Sequence, residues 1–463
     1  MTIGKNNIQA SLEEGLARHH VPGASIAVFD EGELITAAAG VTNVNTGVEL
    51  TPDTVMHIGS ITKVLNATLV MQLVDEGQVD LDERVLRYLP DLRLKDHEAL
   101  EQITVKMLLN HTSGIDGEKN LAGSGHDEET IEGAIGRIAE LGQLFRPGAE
   151  FSYCNAATVI AGYLAQRLTQ KSWYRLIRER IFEPLQMAHA ATLPEEALLH
   201  RASVGHFLDP RSKKLIRTST AFLPLGFGPA GIAMMMSAAD LIGFARAHMA
   251  QGMGVTGARI LSARSTNAMQ QMTVKNKGKG YAYMDLGIGW MVSDDGLLYH
   301  SGGGPGVLAV LYAHPKQRFA AAILTNAEHS TGLIIELMKP LLKKIEASEP
   351  LGAAAIHVPS MQIDFDRYVG VYEALSSRYR VSCTQDGLVL SSQWKYAFYD
   401  SISTEATPPA RLIPLSDEKF LLESDGRDDN LPDAFRIFTF RNPDTHGHMR
   451  HLGHGMRLYP RVI

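Results

Sequence analysis

A serine and a lysine stand three positions apart at the start of one long apolar segment. The two residues are Ser60 and Lys63, and apolar side chains follow them at steps of three and four residues until Gly77. Residues with this spacing share one face of a helix, so the amine can reach the hydroxyl. The helix N-terminus adds partial positive charge where an oxyanion would form. The pair therefore predicts a serine nucleophile with lysine as its proton acceptor.

The same Ser-x-x-Lys spacing occurs twice more, so the surrounding sequence must decide between the three occurrences. Ser392 and Lys395 lie in a segment predicted to be a strand, and Ser416 and Lys419 lie in a predicted turn. Only Ser60 precedes a helical pattern. We therefore assign the nucleophile to Ser60.

A tyrosine and an asparagine follow a predicted turn and precede another predicted helix. Tyr153 can lose its proton beside an ammonium group and pass it to a leaving group. Asn155 is a candidate for holding Lys63 and a substrate carbonyl, and it is also a candidate helix N-cap. Cys154 is interpreted as inert because alternation turns it away from the site, and the loop 111–114 is interpreted as structural.

A histidine followed by glycines ends a predicted strand. His300 is expected to point into the cleft, and Gly302 and Gly303 would let the backbone approach closely. The N–H groups of Ser60 and Gly303 are predicted to form an oxyanion hole, and losing one such donor typically costs ~10²–10³ in rate. Lys63 is expected to be neutral or to share its proton with Tyr153, because a buried lysine near a second cation loses its proton more readily. His300, which titrates near pH 6.5 when free, is the candidate for that cation below neutral pH.

The composition limits the kind of protein that the chain can be. Of its 463 residues, 45% are hydrophobic and 21% are charged, which is typical of a soluble globular protein of two or three domains. The net charge of -7 without a basic cluster argues against nucleic-acid binding. Two cysteines and scattered histidines indicate neither a disulfide framework nor a metal site, so no cofactor is expected.

The sequence also indicates where the protein works. No apolar run approaches the length of a membrane span. The N-terminus has no apolar core of a signal peptide. A cytoplasmic location is therefore expected, with a signal peptide already removed as the alternative.

The predicted elements place the site between a sheet and a helical block. Strands at 24–29 and 33–39 form an early hairpin, and strands return after residue 285. Residues 60–250 are mainly helical. We expect the early and late strands to share one antiparallel sheet, with the active site between this sheet and the inserted helices.

We expect a catalytic domain over 1–350, a linker over 351–360 and a small all-β domain over 361–463. The linker is rich in small residues, and strand-like runs recur at short spacing between residues 368 and 441. A loop of the β domain is expected to reach the cleft and limit its depth.

Taken in order, Ser60-x-x-Lys63, Tyr153-x-Asn155 and His300-x-Gly302 resemble the motifs of the penicillin-binding-protein and class C β-lactamase superfamily of serine hydrolases. Four further landmarks support the resemblance, at residues 108–114, 145–148, 229–231 and 287–290. The resemblance implies an α/β sandwich in which helices flank an antiparallel sheet, with an added all-helical subdomain. It also implies Ser60 as nucleophile, Lys63 as base, Tyr153 as proton shuttle and oxyanion donors at Ser60 and Gly303.

The third motif departs from the lactamase pattern. Class C β-lactamases have Lys-Thr-Gly where this chain has His300-Ser301-Gly302. His-x-Gly resembles D-aminopeptidases, certain DD-carboxypeptidases and the stand-alone cyclases of nonribosomal peptide pathways, which often carry a C-terminal lipocalin-like β domain. The resemblance implies such a domain here, beginning near residue 368, and poor hydrolysis of β-lactams. His300 is expected to bind a carboxylate better at pH 6 than at pH 8, because its charge falls over that range.

The favoured function is hydrolysis of amide or peptide bonds through an acyl-enzyme, with a preference for D-residues left open. The substrate is expected to be a small molecule or a peptide. One alternative is a carboxylesterase, and another is a thioesterase that cyclises nonribosomal peptides. A third is an inactive penicillin-sensing or scaffold protein, which the intact set of Ser60, Lys63, Tyr153 and His300 argues against.

Overall fold

The described part of the chain forms an α/β sandwich followed by a β-barrel. The computed structural model describes residues 5–117, 130–209, 212, 214–231, 233–276, 284–348, 363–396, 403–423 and 433–462. The predicted linker at 351–360 lies outside the described residues. Among the helices of these ranges, none combines the length and the apolar character needed to span a bilayer.

The first part contains twelve strands in the described ranges. Their bounds are β1 Gly23–Asp30, β2 Glu33–Gly40, β3 Met56–His57, β4 Ala190–Ala191, β5 His206–Leu208, β6 Leu215–Arg217, β7 Met235–Met236, β8 Asp285–Leu286, β9 Met291–Val292, β10 Leu298–Gly304, β11 Val307–His314 and β12 Phe319–Thr325. Seven of them form one antiparallel sheet in the order β2-β1-β12-β11-β10-β9-β8. The early hairpin therefore pairs with the late strands, which confirms the expected sheet.

Helices cover both faces of this sheet. Their bounds are α1 Lys5–His19, α2 Thr62–Asp75, α3 His97–Leu100, α4 Val105–Leu109, α5 Ile131–Ile138, α6 Asn155–Thr169, α7 Trp173–Ile177, α8 Glu183–Leu185, α9 Pro194–Ala197, α10 Ala238–Met249, α11 Ala263–Gln270 and α12 Thr331–Lys344. Helices α1 and α12 pack together on one face, and α10 packs on the other face. Strand β12 is buried along its whole length. Because successive side chains of a strand point to opposite faces, β12 contributes to the hydrophobic core on each side of the sheet.

Helix α2 lies inside the helical block and carries the predicted nucleophile at its start. Its residues from Thr62 to Leu73 are all buried. A helix that is buried on every side must be apolar on every side, and the run from Val64 to Leu73 is mostly apolar. Among the residues from Thr62 to Leu73, Lys63 is the only one with an ionisable side chain, and only 1% of its surface is exposed.

The second part is a meander of eight antiparallel strands. Their bounds are β13 Gly370–Glu373, β14 Ser377–Thr384, β15 Gly387–Trp394, β16 Ala410–Pro414, β17 Lys419–Leu422, β18 Ile437–Pro443, β19 Met449–His454 and β20 Arg457–Pro460. Each strand pairs with the next, and the N–H of Val462 donates to the carbonyl of Val371 at 2.8 Å, which brings the last strand to the first. The nearly closed barrel confirms the lipocalin-like fold. The last two strands were not among the runs predicted from the sequence.

Aromatic side chains fill the barrel, and polar contacts join it to the sandwich. Tyr368, Phe420 and Phe440 meet edge to face in the barrel core. Across the junction, the N–H of Leu375 donates to the carboxylate of Asp116 at 2.8 Å. The barrel therefore has its own hydrophobic core and contacts the sandwich.

Candidate active site

A tight turn at the start of α2 holds Ser60 against the end of strand β10. The turn spans Gly59–Ile61, and Gly59 adopts a positive φ of 51°. A Cβ atom on Gly302 would lie 1.9 Å from the carbonyl oxygen of Ile58, and one on Gly59 would lie 2.6 Å from the nitrogen of Gly303. The backbones can approach this closely only because glycine stands at these positions. This approach brings the nitrogen of Gly303 beside the Ser60 turn.

Lys63 is enclosed beside the serine hydroxyl. Its Nζ lies 3.0 Å from Ser60 Oγ and donates to the carbonyl of Ala230 at 2.5 Å. Burial, followed by the charge of Arg457, lowers the pKa of Lys63 well below its ordinary value. An unprotonated amine has a lone pair, so Lys63 can accept the proton of Ser60.

One imidazole and two basic side chains lie close to the ring of Tyr153. His111 stacks on it at 4.4 Å between ring centroids. Lys63 Nζ lies 4.9 Å from the ring centroid, and the guanidinium carbon of Arg457 lies 5.2 Å from it. The imidazole Nδ1 of His111 accepts the N–H of Cys154 at 3.1 Å, which ties the 111–114 loop to the backbone beside Tyr153. This hydrogen bond helps to position Tyr153, and a structural role for the loop stays a prediction.

The cap of the helix that follows Tyr153 differs from the expected one. Helix α6 begins at Asn155, and the thiol of Cys154 caps it by accepting the N–H of Ala157 at 3.3 Å. The interpretation of Asn155 as the N-cap is therefore wrong, although Asn155 does line the same cavity as Ser60. Burial raises the pKa of Cys154 to about 11, so its thiol stays protonated near neutral pH, in keeping with an inert role.

His300 lies in the site but is uncharged. Its ring is 2% exposed, and its Nδ1 lies 2.6 Å from the carbonyl oxygen of Ser301. A carbonyl only accepts, so Nδ1 carries the proton and Nε2 is an acceptor. Burial, followed by the charge of Lys63, lowers the pKa of His300 to about 3. Two expectations are therefore wrong: His300 is not the cation beside Lys63, and its charge does not change between pH 6 and pH 8.

The cation beside Lys63 is Arg457, which sequence reasoning missed. It follows the turn between β19 and β20, where Gly455 has a positive φ of 61°. The carbonyl of Met456 accepts the N–H of Tyr153 at 2.8 Å, and the N–H of Leu458 donates to a serine hydroxyl beside Tyr153 at 3.1 Å. Two hydrogen bonds thus fix the hairpin at the site. The sequence feature that could have indicated this hairpin is Gly455, which lies between two short runs of alternating apolar and polar residues.

A cavity of about 510 Å³ opens above Ser60. Both the sandwich and the barrel line it, through Ser60, Tyr153, Asn155, Met291, His300, Ser301, Gly303, Gly304, Val307, Leu308, Glu328, Phe435, His454, Gly455, Met456 and Arg457. The expectation that a loop of the β domain reaches the cleft is confirmed. The volume lies in the range of about 300–1,000 Å³ that is usual for small-molecule sites.

Comparisons with known proteins relate this chain to one family. The family model described as Beta-lactamase matches residues 8–336. Penicillin-binding protein 4 of Amycolatopsis lactamdurans is 36% identical over 360 residues, which cover 77% of this chain and 94% of that protein. The structure of SurE with D-Leu has a TM-score of 0.76 and 26% identity and covers 99% of both chains. A D-stereospecific amidohydrolase from Streptomyces sp. has a TM-score of 0.58 and 27% identity, over 72% of this chain and 98% of that one.

Proposed function

Because this chain belongs to the beta-lactamase family of serine hydrolases, we propose that it cleaves amide or peptide bonds whose carbonyl belongs to a D-residue. The single observation that carries the proposal is the buried amine of Lys63, 3.0 Å from the hydroxyl of Ser60. The preference for a D-residue is supported by the D-stereospecific amidohydrolase and by the D-Leu of SurE.

In the proposed acylation step, Ser60 Oγ attacks the substrate carbonyl while its proton passes to Lys63 Nζ. The developing oxyanion accepts hydrogen bonds from the N–H groups of Ser60 and Gly303. When the tetrahedral intermediate collapses, the C–N bond breaks and the leaving amine takes a proton through Tyr153. The products are an ester on Ser60 and a free amine.

Deacylation repeats these steps with water as the nucleophile. The water gives a proton to the Lys63 and Tyr153 pair and adds to the ester carbonyl. The bond between that carbonyl carbon and Ser60 Oγ then breaks, Oγ takes the proton back from the pair, and the acid leaves. Arg457 supports both steps, because its positive charge disfavours a second cation at Lys63 and stabilises negative charge that develops on the phenol of Tyr153. Neutral His300 offers the acceptor Nε2 to a substrate N–H.

A second candidate function is transfer of the acyl group to an amine, as in cyclisation of a linear peptide. The observation that favours it is the apolar part of the cavity lining, which suits an acyl chain longer than one residue. This part consists of Met291, Val307, Leu308, Phe435 and Met456. Product mass after reaction with a linear peptide thioester separates the two functions, because the cyclic product is lighter than the acid by one water.

The test of the proposed function compares D- and L-alanine p-nitroanilide with p-nitrophenyl butyrate. A higher kcat/KM for the D-anilide than for the L-anilide is expected. Lys63→Ala should lower the rate on the D-anilide by about 10²–10⁴, the usual loss of a general base, whereas Lys395→Ala in the barrel should not. Turnover of the ester alone would favour the carboxylesterase alternative instead.

The domain bounds and the cellular location are also proposals. We propose a catalytic domain over 1–350 and an accessory barrel domain over 361–463, which supplies Arg457 to the site. The cytoplasmic location stays a prediction.

A further inference from the structure

His111 adopts a rare backbone conformation in the interior of the protein. Its φ is 61°, in the left-handed region that few residues other than glycine enter. Among the non-glycine residues with a positive φ in the described ranges, His111 is the only buried one, with 4% of its surface exposed. Backbone conformations of this kind cost free energy and cluster at functional sites. The proposed catalytic steps leave His111 without a role.

His111 contacts three consecutive residues, with Tyr153 in the middle. The carbonyl of His111 accepts the N–H of Ser152 at 3.1 Å. Its Nδ1 accepts the N–H of Cys154, also at 3.1 Å. Its ring stacks on that of Tyr153, with 4.4 Å between the centroids and 30° between the planes. One residue therefore holds the backbone on both sides of Tyr153 and the aromatic ring itself.

The imidazole of His111 carries no charge near neutral pH. Because a backbone N–H only donates, Nδ1 uses its lone pair and the ring proton sits on Nε2. Burial, followed by the charge of Lys63, lowers the pKa of His111 well below its ordinary value. The ring therefore acts on Tyr153 through its position and its contact, not through a charge.

We propose that His111 is a positioning residue that holds the phenol of Tyr153 in place for proton transfer to the leaving group. This inference rests on the proposed function. When the C–N bond breaks, the phenol gives its proton to the leaving nitrogen and receives the proton that Lys63 took from Ser60. A misplacement of about 1 Å can cost ~10² in rate. His111 should therefore matter most for bonds whose leaving group must be protonated.

The variant His111→Asn removes the ring and keeps the rest of the arrangement. Asparagine also tolerates a positive φ, and its amide oxygen can accept the N–H of Cys154, but it has no ring to stack on Tyr153. His20→Asn is the matched control, because His20 is exposed and has a φ of 56°. Thermal unfolding of both variants checks that they are folded.

The test compares D-alaninamide with the p-nitrophenyl ester of D-alanine. Both substrates form the same acyl-enzyme, but ammonia must be protonated to leave, whereas p-nitrophenolate leaves as an anion. We expect His111→Asn to lower kcat/KM for the amide by about 10- to 100-fold and to leave the ester near its wild-type value. His20→Asn should change neither. A purely structural role of His111 would lower both substrates alike.

A double-mutant cycle with Tyr153→Phe tests whether His111 acts through the phenol. In the Tyr153→Phe background, His111→Asn should cost little more on the amide, because the hydroxyl group that it positions is already absent. Equal losses on the amide and the ester, or the full loss on the amide in the Tyr153→Phe background, would overturn the inference.

Ethyl butyrate and p-nitrophenyl butyrate separate this inference from the proposed function. They give the same comparison between a poor and a good leaving group without an amide bond. Cleavage of both esters without cleavage of D-alaninamide would contradict the proposed function, and a loss confined to the ethyl ester in His111→Asn would still support the inference. Cleavage of D-alaninamide with equal losses on its ester would do the reverse.

Discussion

Replacing Arg457 by glutamine is expected to move the acid limb of the kcat/KM profile to higher pH. Lys63 must be unprotonated to accept the proton of Ser60, and activity therefore rises with pH through the pKa of Lys63. Burial and the charge of Arg457 both lower that pKa. Without the guanidinium, the pKa rises towards its ordinary value, and a higher pH is needed for the same fraction of neutral amine.

The size of the shift follows from the two distances to the ring of Tyr153. Lys63 Nζ lies 4.9 Å and the Arg457 carbon 5.2 Å from the ring centroid, so the charges are at most about 10 Å apart. At an effective dielectric constant of about 20, two unit charges at about 10 Å repel by ~1.7 kcal/mol. This energy corresponds to a shift of about one pH unit.

The assay measures kcat/KM on a D-residue p-nitroanilide from acidic to alkaline pH. Arg457→Lys keeps the positive charge and should keep most of the acid limb in place. Arg450→Gln removes an exposed charge from β19 and serves as the matched control. The reasoning is refuted if Arg457→Gln folds normally and its acid limb coincides with that of the wild type.

Two further predictions concern stability. Gly302→Ala should lower the melting temperature, because the new Cβ would lie 1.9 Å from a carbonyl oxygen. Gly303→Ala should leave the melting temperature unchanged, because the nearest atom to its Cβ would be 3.5 Å away. Thermal unfolding of both variants tests this prediction. Burial lowers the pKa of His57 to about 4 and of His248 and His300 to about 3, so below pH 6.5 the unfolded chain binds more protons at these positions. Each histidine should cost up to ~1.4 kcal/mol of unfolding free energy per pH unit as the pH falls, and His248→Gln should reduce this slope in urea unfolding. A slope equal to that of the wild type would contradict the assignment.

Much of the fold could be predicted because its strands and helices have strong local patterns. The strands at 24–29 and 33–39 were predicted to within one residue at each end, and their pairing with the late strands follows from their shared apolar character. Strand β19 was missed because Arg, His and Gly make up most of its run, and strand β20 was missed because it has only four residues and ends in a proline. The pairing of both strands therefore depends on the barrel around them.

The core of the site was predictable because its motifs stand in one order along the chain. In the structure, Lys63 contacts Ser60, and the backbone of Gly303 approaches the turn that holds Ser60. The charge of His300 and the presence of Arg457 were not predictable. Both depend on tertiary packing, since burial sets the pKa of His300 and a remote hairpin delivers Arg457.

The most direct test of the central claim is mass spectrometry of the protein after reaction with a fluorophosphonate and with a D-alanine ester. We expect one covalent adduct, on the peptide that contains Ser60. Ser60→Ala should lose both the adduct and turnover, with a melting temperature within a few degrees of the wild type. Ser392→Ala, from the second Ser-x-x-Lys pair, should keep the adduct and the turnover. An adduct on another residue, or normal turnover by Ser60→Ala, would contradict the account.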